Sequence, residues 1–302
     1  MAKTLIYLLK TGMLFTKKQI KKILAWLADL YRLYNFYEVK DWRKKLSVFL
    51  LCVLSTFWAF RGAEASLNTH TLDLNGAADQ YVYNSSVPNV TDDMTVECWF
   101  NLTAVIADDD TPVVMSKFVG GDFSWEFGLY NESGAGTYYL YFVNSDDGSN
   151  VAFQQIAFTT YSYMTWYHVA IAYDKSAGTA AVYKNGSSLG TLTSLYTSIH
   201  ESEAATTIGA WGAGNRNWTG SIDDCRIWSD IRTGTEIANN YNIQTTDTGN
   251  LVAYWQLNNN LLSQIGGYTL TNVNSTGFQY DSLPFVGTAD PVAKQEDIFL
   301  FE

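Results

Sequence analysis

The sequence predicts an all-β, antiparallel sandwich from about residue 67 onward. Three observations carry this expectation. Short segments rich in aromatic and β-branched residues recur along the chain, among them Thr95–Phe100 (TVECWF), Tyr138–Val143 (YYLYFV) and His168–Tyr173 (HVAIAY). Turn-forming groups stand between such segments, as at Gly120-Gly121, Ser133-Gly134-Ala135-Gly136, Asp146-Asp147-Gly148 and Asn185-Gly186. Long helical periodicity stops near residue 65, while 20 Tyr and 10 Trp favour strands over helices. Many short strands at this spacing argue for a sandwich rather than a single open sheet.

The elements follow in chain order. Residues 1–40 contain a helical stretch, Thr16–Tyr34, with Ile20, Ile23, Leu24, Leu27, Leu30, Tyr31 and Tyr34 on one stripe and Lys17, Lys18, Lys21 and Lys22 at its start. It reads either as a basic amphipathic helix on an anionic membrane surface or as a leader from a start codon assigned too far upstream. Residues 41–65 form a secretory signal or signal anchor. Arg43, Lys44 and Lys45 precede the apolar run Leu46–Phe60, and Ala63-Glu64-Ala65 places cleavage after Ala65. That run is short for a membrane span, which needs about 20 residues. Cys52 lies inside it behind Leu51, which argues against lipoprotein processing.

The sandwich itself spans 66–277. In Thr95–Phe100, Val96, Cys98 and Phe100 share a face. Asn185-Gly186 sits between AAVYK and SSLGT, the chemistry of a type I′ hairpin turn, which needs positive φ at both central residues. Strict alternation in Ser221–Trp228 puts Asp223, Cys225 and Ile227 on one face and Ile222, Asp224, Arg226 and Trp228 on the other. Thr233-Gly234-Thr235-Glu236 has the capping-box form, and Ile237, Ala238 and Tyr241 continue a short helix. The tail, 278–302, holds two of the four prolines and reads as an added edge strand or a loose end.

Charge divides at the signal. Residues 1–65 carry 12 Lys/Arg and 4 Asp/Glu, whereas residues 66–302 carry 7 Lys/Arg and 26 Asp/Glu. A body this acidic repels phosphate backbones, which excludes nucleic-acid binding. Membrane contact is expected only through the N-terminal segment. Cys98 and Cys225 remain after cleavage. An even count in an exported chain suggests a disulfide, the alternative being two buried thiols filling small core sites.

Several phrases in order resemble the laminin-G-like, concanavalin A-like jelly-roll family, in its bacterial secreted form and more distantly the pentraxins. They are Leu72–Val82 (LDLNGAADQYV), TVECWF, Trp166–Asp174 (WYHVAIAYD), VYKNGSSLGT, Thr207–Trp211 (TIGAW), GSIDDCRIW, IRTGTEIANNYN and, as closing strand, Leu251–Asn258 (LVAYWQLN). The match covers roughly residues 70–275. It implies a jelly-roll β-sandwich in which the strands of Cys98 and Cys225 lie close enough to bridge.

The resemblance also frames the functional expectations. Glycoside hydrolases of this fold need two carboxylates on one strand face, typically Glu-x-Asp-x-Glu. The chain has no such run, and Asp223-Asp224 are adjacent. Catalysis is therefore not expected. His70, His168 and His200 are scattered, and His168 reads as a packed structural histidine. The best ligand loop is Trp211–Trp218 (WGAGNRNW), with Trp211 and Trp218 to stack on sugar faces, Asn215 and Asn217 for hydroxyls and Arg216 for an acidic group. It lacks the acidic residues of the pentraxin calcium cluster. A structural Ca²⁺ held by Asp73, Asp79 and Asp223 is a further expectation, whereas Asp108-Asp109-Asp110 reads as a solvated turn. The leading function is a secreted, non-catalytic binding module for carbohydrate or a surface glycoprotein, with an adhesive role. The alternative is a structural subunit that packs against copies of itself.

Overall fold

A computed structural model describes residues 70–75, 80–134, 137–212, 214–245, 247–274 and 276–280. The N-terminal segments 1–40 and 41–65, Asp79, and the tail from 281 lie outside the described residues.

The described chain is an antiparallel two-sheet sandwich. Its elements are β1 (His70–Asn75), β2 (Tyr81–Asn84), β3 (Met94–Leu102), β4 (Val113–Val119), β5 (Asp122–Asn131), β6 (Tyr138–Asn144), β7 (Ala152–Ala157) and β8 (Tyr167–Asp174). Then come β9 (Thr179–Lys184), β10 (Ser187–Leu192), β11 (Thr206–Ile208), β12 (Thr219–Trp228), α1 (Gly234–Asn240), β13 (Leu251–Trp255), β14 (Thr271–Val273) and β15 (Gly277–Tyr280). The larger sheet has eight strands in the order β10-β9-β8-β3-β12-β1-β15, with β13 also on β12. The smaller has seven, in the order β14-β2-β11-β4-β5-β6-β7. Leu251–Asn258 does not close the fold, because β14 and β15 follow. The start of the tail is an edge strand, since Phe278 pairs with Leu72.

Period-two patterning places the core between the sheets. Val96, Cys98 and Phe100 of β3 meet Trp125, Phe127 and Leu129 of β5 in one buried cluster. Each such side chain contributes about 1.5–3 kcal/mol by leaving water. The predicted type I′ turn is present, with φ of 49° at Asn185 and 74° at Gly186. The capping box is present too: Thr233 Oγ1 accepts from Glu236 N, and Glu236 Oε2 accepts from Thr233 N.

One face assignment is corrected. Asp224 has φ of +50° and sits in a bulge of β12 against β3, between the pairs Asp223↔Trp99 and Arg226↔Glu97. The extra residue shifts the alternation. Ile222, Cys225 and Ile227 join the core, whereas Asp223 leaves their face and pairs across from Trp99. The bulge also sets Cys225 against Cys98, with Cα atoms 4.3 Å apart, and the two form a disulfide.

The outer face of the eight-stranded sheet is covered by α1 and the residues after it. Trp99 Nε1 donates to Tyr241 O at 2.8 Å, and the two rings stack. Beneath them lies a buried ionic cluster. Arg226 Nη1 donates to Glu97 Oε1 at 3.1 Å, and its Nη2 donates to Asp224 and, at 2.7 Å, to Ile243 O. Trp228 Nε1 donates to the same Glu97 oxygen at 2.9 Å, and His168 Nε2 lies 3.2 Å from Glu97 Oε2. Burial alone would raise the Glu97 pKa, but Arg226, His168 and Trp228 bring it down to about 2.

Two outcomes follow from this arrangement. The double variant Cys98→Ala/Cys225→Ala removes a cross-link spanning 127 residues. It is expected to lower stability in urea unfolding by roughly 2–5 kcal/mol, the upper end being the chain-entropy limit. Because the folded pKa of Glu97 lies below the unfolded value of 4.5, its contribution is complete above that pH and fades as pH falls towards about 2. Glu97→Gln should cost about 3 kcal/mol at pH 7 and flatten the acid limb of the stability curve. An unchanged acid limb would remove Glu97 from the account.

Candidate functional site

With the centre of the larger sheet's outer face covered around Trp99 and Arg226, the outer face of the smaller sheet is a surface on which chemistry can be displayed. Alternation in β5 turns Trp125, Phe127 and Leu129 inward and Glu126 and Tyr130 outward. Register then sets Glu126 beside Val143, Tyr130 beside Tyr139, and Tyr141 beside Gln155. Gly128 lies between them because a Cβ there would meet Pro112 O at 2.1 Å and Tyr141 Oη at 2.8 Å.

The predicted loop crosses this face. Trp211 N donates to Asn215 O at 2.9 Å, and Gly214 N donates to Trp211 O at 2.8 Å, closing a tight turn. Arg216, at φ +54°, then drops its side chain onto the sheet. Its Nη2 donates to Glu126 Oε1 at 2.6 Å and to Tyr141 Oη at 2.7 Å, and its Nε donates to Thr111 O at 3.0 Å. Glu126 is 1% exposed and Arg216 27%. Burial holds the Glu126 carboxyl above its ordinary pKa, with Arg216 and Tyr141 opposing.

Aromatic rings flank this polar centre on both sides. On one side Trp211 packs on Phe118, which stacks on Phe123 at 4.2 Å. On the other, Phe153 stacks on Tyr141 at 5.2 Å and meets Tyr130 edge-on. Phe153 is 41% exposed, and Trp211, Phe123, Tyr130 and Tyr139 are half-buried. The indole N–H of Trp211 is buried and has no hydrogen-bond partner. The result is a row of ring faces broken by one carboxylate–guanidinium pair.

The structure separates the predicted site residues. Trp211, Asn215 and Arg216 do share the loop, and Asn215 is exposed. Trp218 does not belong with them. It is fully buried, edge-on to Phe100 at 5.0 Å, and its Nε1 donates to Asn101 O at 3.2 Å. Trp218 precedes β12 and points into the core, so it cannot stack on a ligand. Arg216 is present but is already neutralised by Glu126, which corrects its assignment to an acidic ligand group.

Of the predicted acidic set, Asp79 lies outside the described residues. Asp73 is paired opposite Ser221, and Asp223 opposite Trp99, on the outer side of the larger sheet. Among the described residues no three His, Cys, Asp or Glu side chains stand together as a metal site. In the triplet, Asp108, Asp109 and Asp110 each bond separately, to Asn131, Ser133 N and Thr111 N. His168 is the packed histidine expected, and His200 Nε2 lies 3.0 Å from Asp122 Oδ1.

Sequence reasoning missed Glu126, Tyr141, Phe153, Phe118 and Tyr130. They lie on four different strands and in no motif. The available signal was Glu126 itself, a lone acid inside the apolar run WEFGLY. Replacing Arg216 with Met should leave Glu126 buried without its counter-charge. Its partial exposure sets the expected loss at about 2 kcal/mol in urea unfolding, below that of a fully enclosed pair.

Comparison with known proteins adds the following. A family model described as the concanavalin A-like lectin/glucanases superfamily matches residues 75–238. No curated protein matches the sequence. Among solved structures, a heptameric SAP-like pentraxin from Limulus polyphemus is similar at TM-score 0.55 and 15% identity, over 71% of this chain and 96% of that one. A Bacteroides ovatus protein, provisionally described as carbohydrate-binding, is similar at TM-score 0.52 and 18% identity, over 72% of this chain and 61% of its own. At these identities the likeness is one of fold.

Proposed function

The chain belongs to the concanavalin A-like lectin/glucanases superfamily, and from the surface it builds on that fold we propose that it is an exported, non-catalytic module that binds carbohydrate. The observation that carries this reading is the aromatic row around the Glu126–Arg216 pair. Sugar rings present apolar C–H faces and a rim of hydroxyls. Trp211, Phe153 and Tyr130 supply flat apolar faces, while Asn215 and the edge of Arg216 supply polar groups. The Bacteroides likeness supports the ligand class through its description, and the disulfide supports export, since such bonds persist in oxidising compartments. A glycan displayed on a cell-surface glycoprotein would meet the same chemistry, giving an adhesive role.

The geometry of Glu126 supports binding over hydrolysis. Glycoside hydrolysis needs a second carboxyl across the scissile bond, about 5–10 Å away. Glu126 is held by Arg216, and Asp109, near Tyr130, is engaged with that ring hydroxyl and with Ser133 N.

A glycan array followed by calorimetry on any hit tests the reading. Trp211→Ala and Phe153→Ala should each weaken binding about tenfold, with Trp211→Ala leaving the fold intact by circular dichroism. Array hits whose affinity is indifferent to both changes, or an array with no hit, would reject this surface as the site.

A further inference from the structure

If the outer face of the smaller sheet holds glycan, as proposed above, its charge decides which glycans. An acidic sugar brings a carboxylate or sulfate that needs a cation close by once water is displaced. Residues 66–302 carry only 7 Lys/Arg, and six of these are described. All six are engaged within the protein. Lys117 is buried and donates to Val87 O and Ala204 O, and Lys175 pairs with Asp92. Arg226 is held by Glu97 and Asp224, and Arg232 by Asp230, Glu236 and Asp247. Lys184 donates to Thr159 O at 2.6 Å and lies over Phe158 and Tyr167, two rings of the core. Arg216 is the one cation among them that lies with the rings of this face, over Tyr141, and there Glu126 already neutralises it.

Acids, by contrast, stand at both ends of the ring row. At one end Asp109 Oδ1 accepts from the Tyr130 hydroxyl at 3.3 Å, and the Glu132 carboxylate stands at the Tyr139 hydroxyl, holding that phenol above its ordinary pKa. At the other end Asp122 immediately precedes Phe123 and is 29% exposed, with His200 Nε2 at 3.0 Å. An anionic chain laid along the row would meet these carboxylates and no unengaged cation. A neutral chain meets ring faces, and its hydroxyls can donate to the exposed Asp109 carboxylate.

The row is also longer than one sugar. Phe123 and Tyr130 stand near opposite ends of β5, about 23 Å apart at 3.3 Å per residue. Phe118, Tyr141 and Trp211 pack with both in one cluster, and Phe153 stacks on Tyr141 and meets Tyr130. A single sugar ring covers one such platform, so rings on both sides of the Glu126–Arg216 pair can be used together only by a chain of several units. We propose that the ligand is an uncharged polysaccharide, gripped along an internal stretch of several sugar units, and that acidic glycans are excluded.

Affinity electrophoresis of the purified full chain, through gels cast with uncharged polysaccharides (glucans, mannans, xylans) or acidic ones (polygalacturonate, alginate, chondroitin sulfate), reads the charge preference. Calorimetry with oligosaccharides cut from a retarding polymer reads the length. Retardation is expected from uncharged polymers alone and should be indifferent to added sodium chloride. Affinity should rise about tenfold from disaccharide to pentasaccharide as more rings are covered. Retardation by an acidic polymer that Trp211→Ala relieves would overturn the proposal while leaving this face as the glycan site. So would a disaccharide that binds as tightly as the pentasaccharide and loses affinity in Trp211→Ala. Retardation by neither class, or retardation that neither Trp211→Ala nor Phe153→Ala relieves, would overturn the proposal together with the reading of the face on which it rests.

Discussion

Strands β3 and β12 are held on both of their faces, and the rest of the sandwich is arranged around that pair. On the core side the Cys98–Cys225 disulfide crosses between them. On the outer side Glu97 and Arg226, directly opposite in register, form the centre of a buried ionic cluster. The bulge at Asp224 makes both possible. It turns Cys225 inward and Arg226 outward, and it frees Asp224 to take a second Arg226 nitrogen and the Tyr254 hydroxyl. Charges this deep need counter-charges and hydrogen-bond partners close by, because desolvation otherwise exceeds the Coulombic gain. The carbonyls of Asn240 and Ile243 also accept from Arg226, so the segment after α1 is tied down by the same cluster.

That lock has a consequence for function. It commits the outer face of the larger sheet to structure, covered by α1 and the stacked Trp99 and Tyr241. The proposed recognition surface is on the smaller sheet, where a second ion pair, Glu126–Arg216, is placed differently. It sits under a loop rather than a helix, and aromatic rings on either side stay partly open. Two buried carboxylate–guanidinium pairs thus do different work: one fastens a cover and the other fixes a loop over a surface.

Most of the architecture was legible in the sequence. Period-two runs, the Asn185-Gly186 turn and the capping box at Thr233 are local, and local signals survive folding. The Cys98–Cys225 bridge was legible through cysteine count and the family likeness. The bulge was not, because Asp224 reads as an ordinary alternating residue until its partner strand is known. For the same reason Trp211 and Trp218 look equivalent in one glycine-rich loop, although one lies on the sheet surface and the other in the core. Glu126 and Phe153 come together only through the register of β5, β6 and β7, which depends on non-local pairing.

The central claim is that the outer face of the smaller sheet, under the Trp211 loop, is where ligand meets protein. Indole N–H resonances in a ¹⁵N-labelled sample report on it directly, since the half-buried Trp211 ring lies at this surface and Trp218 Nε1 is bonded in the core. Titration with a glycan that binds should shift the Trp211 indole signal saturably and leave that of Trp218 in place. Saturable shifts elsewhere, with the Trp211 signal unmoved, would contradict the account.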